Sequence, residues 1–312
     1  MTRVVFMGTP EFSVNVLEGL ISEVNYEIVA VVSQPDRKVG RRQVLTPSPI
    51  SEVALTNDIP LLRLENVKDE YQKIIDYKPD IIITCAYGQI IPEELLNYPK
   101  YGCINVHASL LPKLRGGAPI HKAIIEGYEQ TGITIMYMDK GMDSGDIISQ
   151  EETTIEDSDN LSTLHDRLSI MGKDLLLKTL PNILAGKIKR KKQDLKEVTY
   201  AYAIKREEEK IDFSKTTRQI FNHVRGLSKI PGAYFILDGK IIKVYEGKIG
   251  TSIDTAKQNG KIINVYKDGI GIKTQDGEYI ITRIKPEGKN EISIKDYLNG
   301  KKKEDLLGKI CE

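Results

Sequence analysis

Short runs of apolar, mostly β-branched residues alternate with segments of helical spacing through the first half of the chain. Val4 to Met7 reads as a buried strand closed by Gly8-Thr9-Pro10, and Phe12, Val16, Leu17 and Leu20 recur at the spacing of one helix face. Glu27 to Ser33, Leu61-Leu62, Asp80 to Cys85, Cys103 to Val106 and Ile133 to Tyr137 read as further strands. Runs that are apolar throughout, rather than alternating, belong to strands covered on both faces. The pattern predicts a doubly wound, mostly parallel α/β sheet, in which ligands bind beyond the carboxyl ends of the strands. From Ser162 to Leu184 the spacing of Leu164, Leu168, Met171, Leu175, Leu176 and Leu180 is helical again.

The pattern then changes. A basic run, Lys187 to Lys192, leads into a polar stretch that ends near Lys205 and reads as an interdomain linker. Ile211 to Leu227 begins helically. Beyond it come short strands at Ala233 to Leu237, Ile241 to Tyr245, Gly260 to Tyr266, Gly269 to Thr274 and Tyr279 to Ile284, with an Asp238-Gly239 turn. That spacing predicts a small antiparallel β-barrel. The expected division is a catalytic domain over 1–189, a linker over 190–205 and a barrel domain over 206–312.

Composition adds little to this picture and excludes several classes. The chain has 312 residues, 40% of them hydrophobic and 29% charged, with a formal net charge of +1. Only local patches can therefore speak for a nucleic-acid partner. Tryptophan is absent and the three cysteines have no metal-ligand spacing, so they read as buried hydrophobes in a reducing, cytoplasmic setting. No apolar run approaches the ~20 residues of a membrane span. Gly8-Thr9-Pro10 is not a dinucleotide fingerprint, and neither NAD, ATP nor a metal is expected.

The candidate chemistry lies between residues 102 and 146. Asn105 and His107 stand directly before Ser109-Leu110-Leu111-Pro112, and Asp143 follows within Asp139-Lys140-Gly141-Met142-Asp143-Ser144-Gly145-Asp146. An amide can donate to a developing oxyanion, an imidazole can hold or shuttle a proton, and a carboxylate can orient that imidazole or take a proton from an amine. These roles suit acyl transfer. With no Gly-x-Ser-x-Gly elbow and no cysteine paired with histidine, no covalent acyl-enzyme is expected, and the attack falls to the second substrate.

These residues, with Arg115-Gly116-Gly117-Ala118-Pro119-Ile120, resemble the folate-dependent formyltransferase family. Phe6 to Phe12, Gln34-Pro35-Asp36-Arg37, Thr46 to Pro49, Ala86 to Pro92, Ile211-Asp212-Phe213 and Pro231 to Tyr234 extend the resemblance over nearly the whole chain. It implies a Rossmann-like N-terminal domain, an OB-like C-terminal barrel, and 10-formyltetrahydrofolate as co-substrate without a metal. The implied acceptor is the α-amino group of methionine esterified to initiator tRNA. Asn105, His107 and Asp143 would be the catalytic trio. Ser109, Leu110, Leu111 and Pro112 would line the folate site, with Tyr87, Gly88, Ile90 and Pro92 and also Asp139 and Gly141 walling the pterin slot. His121, where the family commonly carries Gln, is expected to be structural or at the surface, as are His165 and His223.

Gln34 to Pro49 packs Arg37, Lys38, Arg41 and Arg42 around Gly40, just past a strand end. Basic runs are often merely solvated. This one lies on the site side of the sheet, where it can hold acceptor-stem phosphates or enter a groove, and the resemblance favours Arg41 as its key arginine. Lys189, Arg190, Lys191, Lys205 and Arg206 form a second basic segment that can extend a track along the tRNA. A monomer is expected. Two alternatives remain open: the same chemistry on a small amine such as glycinamide ribonucleotide or an amino sugar nucleotide, and a folate- or RNA-binding protein without catalysis.

Overall fold

The computed structural model describes residues 1–39, 42–252 and 257–312. Its first half builds β1 (Thr2–Gly8), α1 (Val14–Ser22), β2 (Tyr26–Ser33), a hairpin of β3 (Arg37–Val39) and β4 (Val44–Thr46), α2 (Pro49–Thr56) and β5 (Leu61–Arg63). Then come short helices α3 (Val67–Glu70) and α4 (Gln72–Ile75), β6 (Ile81–Cys85), α5 (Glu93–Leu96), β7 (Cys103–His107) and α6 (Pro119–Ile125). β8 (Gln130–Tyr137), β9 (Ile147–Thr154) and the long α7 (Leu161–Leu184) complete it.

Seven of these strands form one sheet in the order β5-β2-β1-β6-β7-β8-β9. The first five are parallel, as the continuous apolar runs require, and β1 and β6 at its centre are buried along almost their whole length. β8 and β9 are antiparallel additions. β8 therefore ends beside the start of β7: Tyr137 pairs with Ile104, and the Met138 amide donates to the Cys103 carbonyl at 2.9 Å. The loop carrying Asp139 to Asp146 is thus not the continuation of a parallel strand's carboxyl end, as the sequence pattern suggested. It is the connection of an antiparallel hairpin that folds back along β7. β9 was illegible in the sequence because it is a polar edge strand, Ser149 to Thr154 having no apolar residue.

Two compact units divide the chain, and they are not consecutive segments. One comprises residues 1–119, 130–154 and 165–202, the other 120–129, 155–164 and 203–312. Residues 190–202 thus pack with the first unit. Among the described residues no helix is long and apolar enough to cross a membrane.

In the second unit α8 (Thr217–Leu227) is started by a capping box. The Gln219 amide donates to Thr216 Oγ1 at 3.2 Å, and the Thr216 amide to Gln219 Oε1 at 3.1 Å. The helix begins six residues later than its apolar pattern suggested. Ile211 and Phe213 instead alternate into the core from an extended segment, the Ile211 amide donating to the Tyr234 carbonyl. Strands β10 (Ala233–Leu237), β11 (Lys240–Ile249), β12 (Ile262–Val265), β13 (Ile270–Lys273) and β14 (Glu278–Pro286) pair antiparallel in the order β10-β11-β14-β13-β12. β15 (Ile292–Ser293) pairs with β14 and leads into α9 (Ile294–Tyr297). The last residues bridge the two sheet edges. The Ile262 amide donates to Lys309, the Cys311 amide to Gly260, and Ile236 and Glu312 exchange both backbone hydrogen bonds. This closes an antiparallel barrel around Ile220, Val224, Phe235, Val244, Ile272 and Ile281.

Candidate active site

Asn105 and His107 stand two residues apart on β7 and so share one face of the sheet. The Asn105 amide is oriented from behind. Thr84, opposite it on β6, donates from Oγ1 to Asn105 Oδ1 at 2.9 Å. This assigns the carbonyl oxygen and turns the NH2 toward Asp143 Oδ1, 3.4 Å away. His107 is buried, 5% exposed, with Nε2 3.0 Å from the Leu114 carbonyl. A carbonyl only accepts, so Nε2 carries the proton and donates. That leaves Nδ1, 3.7 Å from Asp143 Oδ2, as the ring position that exchanges a proton inside the site.

Asp143 reaches both partners from the folded-back hairpin loop, with a left-handed φ of 47°. Its Oδ2 accepts from the Gly116 amide at 2.8 Å. Two residues on, Gly145 crosses so close to β8 that a Cβ there would lie 1.9 Å from the Tyr137 carbonyl oxygen. The loop is clamped from below by Gln193. Its Nε2 donates to the carbonyls of Asp143 and Gly145 at 2.8 Å each, while its Oε1 accepts from Arg115 Nε and Nη2 at 3.0 and 2.7 Å. Gln193 and Arg115 are both buried. Neither Thr84 nor Gln193 was singled out from sequence. Gln193 follows the six basic or apolar residues Lys187 to Lys192 where a linker was expected to begin, and nothing local marks its contacts, which lie 48 to 78 residues away.

The turn after β7 is braced by Thr134 of β8. Its hydroxyl donates to the Ser109 carbonyl at 2.6 Å and accepts from the Leu111 amide at 3.1 Å and from Gln150 Nε2 at 2.9 Å. Ser109 Oγ donates to the Lys113 carbonyl at 2.7 Å, and Leu111 is buried against Met136 and Ile147. Leu110 and Pro112 stay half-exposed. The Tyr87–Pro92 loop comes from the end of β6. The Tyr87 ring lies in the core beneath the sheet, where burial pushes its hydroxyl up to about 12, and its carbonyl accepts from Gln34 Nε2 at 2.9 Å. Gly88 takes a left-handed φ of 86°, Ile90 is exposed and Pro92 half-buried. Asp139 Oδ1 ties its own loop together by accepting from the Gly141 amide and Ser144 Oγ. Lys140 pairs with Glu93 at 2.7 Å, joining the loop to the segment that follows Pro92. The two loops expected to wall a slot therefore meet.

The basic segment at 34–49 is a hairpin, Arg37 pairing with Thr46 and Val39 with Val44. Arg37, Lys38 and Arg42 are exposed, whereas Arg41 lies outside the described residues. Arg37 Nη2 donates to Gln34 Oε1 at 2.7 Å, and through Gln34 the hairpin is linked to the Tyr87 carbonyl. Lys189 is exposed, the Arg190 guanidinium stacks 3.8 Å over Tyr137, and the Lys191 backbone pairs with Ile147 of β9. Lys205 and Arg206 belong to the second unit, where Arg206 pairs with Glu209 and lies over the Tyr234 ring.

Fold and site together define a formyl transferase. Residues 2–180 match the formyl transferase family and residues 203–302 the formyl transferase C-terminal domain family. Among solved structures, WlaRD, a sugar 3N-formyl transferase determined in the presence of dTDP and 5-N-formyl-THF, superposes with a TM-score of 0.67 at 22% identity. That match covers 93% of this chain and 99% of WlaRD. HypX from Aquifex aeolicus, in complex with tetrahydrofolic acid, gives a TM-score of 0.64 at 16% identity over 95% of this chain and 46% of its own. At such identities the fold is what is shared. In sequence, the methionyl-tRNA formyltransferase of Bacillus subtilis (strain 168) is 49% identical over 313 residues, covering 99% of this chain and 98% of that protein. The methionyl-tRNA formyltransferase of Bacillus licheniformis is 50% identical over 303 residues, covering 96% and 95%. The chain belongs to the methionyl-tRNA formyltransferase family.

Proposed function

We propose that this protein transfers the formyl group of 10-formyltetrahydrofolate to the α-amino group of methionyl initiator tRNA, giving N-formylmethionyl-tRNA for translation initiation. The observation that carries the reading is the convergence of Asn105, His107 and Asp143, each fixed by its own partner, in a chain half-identical over its length to methionyl-tRNA formyltransferases.

An α-amine titrates at about 7.7–8.0, so part of it is already neutral near pH 7 and a carboxylate suffices to take its proton. Asp143 is held by the Gly116 amide with one oxygen toward His107 and the other toward Asn105, which suits it to that task. The amine attacks the formyl carbon, and the Asn105 NH2 and a proton on His107 Nδ1 stabilise the oxyanion. One such donor contributes about 3–4 kcal/mol. When the carbon–nitrogen bond to the donor breaks, the donor nitrogen takes up a proton equivalent to the one the amine gave to Asp143, so the carboxylate is regenerated and the formamide is left on the methionine. The folate lies between the Tyr87–Pro92 loop, the Ser109–Pro112 turn and Asp139 to Gly141. Arg37, Lys38, Arg41 and Arg42 meet the acceptor stem, and Lys189, Arg190, Lys191, Lys205 and Arg206 extend the contact. The protein acts as a monomer in the cytoplasm.

The test is transfer of labelled formyl from 10-formyltetrahydrofolate to methionyl initiator tRNA, elongator methionyl-tRNA and free methionine. Transfer confined to the initiator is expected. Transfer to an amino sugar nucleotide, with none to any tRNA, overturns the reading.

A further inference from the structure

Two tyrosines lie open to solvent beside the catalytic loop and have no part in the reaction as described. Tyr200 and Tyr202 are 47% and 57% exposed, and their rings stack with centroids 5.5 Å apart and planes within 3°. They flank the fully buried Ala201 on an extended segment pinned to the turn that holds Asp143. The Arg115 amide donates to the Thr199 carbonyl at 2.9 Å, and the Ala201 amide to the Arg115 carbonyl at 2.7 Å. The Ala118 amide closes the pairing on the Ala201 carbonyl at 2.9 Å. The next amide in that turn, Gly116, is the one on Asp143 Oδ2. Gly116 passes so near Ala201 that a Cβ there would lie 2.8 Å from its carbonyl oxygen.

From this we infer that Tyr200 and Tyr202 form a stacking platform for the 3′-terminal nucleobase of the aminoacyl acceptor and so hold the acceptor end at the site. The inference rests on the methionyl-tRNA reading of the site and names a residue pair for it. Only an ester and a ribose separate the reacting amine from that base, so the base must land within a nucleoside's span of Asp143. Two parallel rings already stacked, and anchored through Arg115 and Ala118, offer a third π-face a rigid surface with little ordering to do. The stretch of chain leading to the tyrosines exposes Lys189, Lys191, Lys192 and Lys196 alongside Asp194 and Glu197, an excess of positive charge that suits a polyanion.

The experiment uses the full-length enzyme with methionyl initiator tRNA. In Tyr200→Ala/Tyr202→Ala the KM for methionyl-tRNA is expected to rise about tenfold or more, with kcat within twofold and the KM for 10-formyltetrahydrofolate unchanged. Tyr200→Phe/Tyr202→Phe keeps both stacking faces and is expected to behave as wild type. Binding provides a second readout. Initiator tRNA with 2-aminopurine as its terminal base is quenched on binding wild type and not on the double alanine variant at equal occupancy. An unchanged KM for tRNA, a raised KM for folate, or a phenylalanine variant as impaired as alanine overturns the inference. If wild type formylates no tRNA at all, the functional reading itself fails.

Discussion

Gln193 clamps the loop that carries Asp143, and Gln193→Met removes its contacts while nearly keeping its volume. Four hydrogen bonds are lost. Two come from the Arg115 guanidinium and are worth about 1.5–3 kcal/mol each, and two go to neutral carbonyls and are worth about 0.5–1.5 kcal/mol each. Relaxation and entering water recover part of the sum. A net loss of about 3–5 kcal/mol is expected, the usual cost of depriving a buried charge of its partner. The loop is also released from below, and a displacement of about 1 Å at a reacting group costs about 10²-fold in rate. Urea unfolding and single-turnover formyl transfer measure the two effects separately. Gln193→Glu separates their causes. Its carboxylate still pairs with Arg115 but turns lone pairs on the carbonyls of Asp143 and Gly145. Stability should largely return while the rate stays low. A Gln193→Glu enzyme with wild-type kcat/KM refutes the clamp.

Three other outcomes follow from single contacts. Thr84→Val frees the Asn105 amide to rotate and should lower kcat about tenfold, whereas Thr84→Ser should keep wild-type kcat; equal rates in both show that the hydroxyl does not orient Asn105. In the second unit, burial, reinforced by Lys215, holds the His223 imidazole down to about 4, against about 6.5 in an unfolded chain. The unfolded chain therefore takes up the proton first as pH falls. The contribution is complete above pH 6.5 and is lost progressively toward pH 4, about 3 kcal/mol in all. Urea midpoints in His223→Gln should be flatter than wild type over that window, and parallel curves count against the assignment. Cys85, Cys103 and Cys311 are buried, and burial pushes each thiol up to about 12. Thiol titration at pH 8 should find none reactive until urea is added.

The sequence makes the centre of the sheet and the nature of the site readable for local reasons. Val4 to Met7 and Ile81 to Cys85 are apolar on both faces because both faces are covered, and an Asn-x-His spacing on a strand puts both side chains on one face. What stays hidden is set by contacts distant in sequence. The direction of β8 is decided by its pairing with β7, not by its own residues, so the path of the Asp143 loop cannot be read from the strand pattern alone. The short hairpin at Arg37–Thr46 carries too many charges to look like strands. Gln193 sits in a basic stretch, and only the folded chain shows it beneath Asp143. The barrel is closed by residues 308–312, whose composition carries no strand signal and whose pairing is with strands far upstream.

The central claim is that Asn105, His107 and Asp143 carry formyl transfer to methionyl-tRNA. It is tested most directly by single-turnover transfer from 10-formyltetrahydrofolate to methionyl initiator tRNA in wild type, Asn105→Ala, His107→Ala and Asp143→Ala. Each variant should bind both substrates and lose about 10²-fold or more in rate, and the triple variant should lose much less than the product of the three. Transfer by His107→Ala at the wild-type rate, or wild-type enzyme inert toward methionyl-tRNA while it formylates a small amine, contradicts the account.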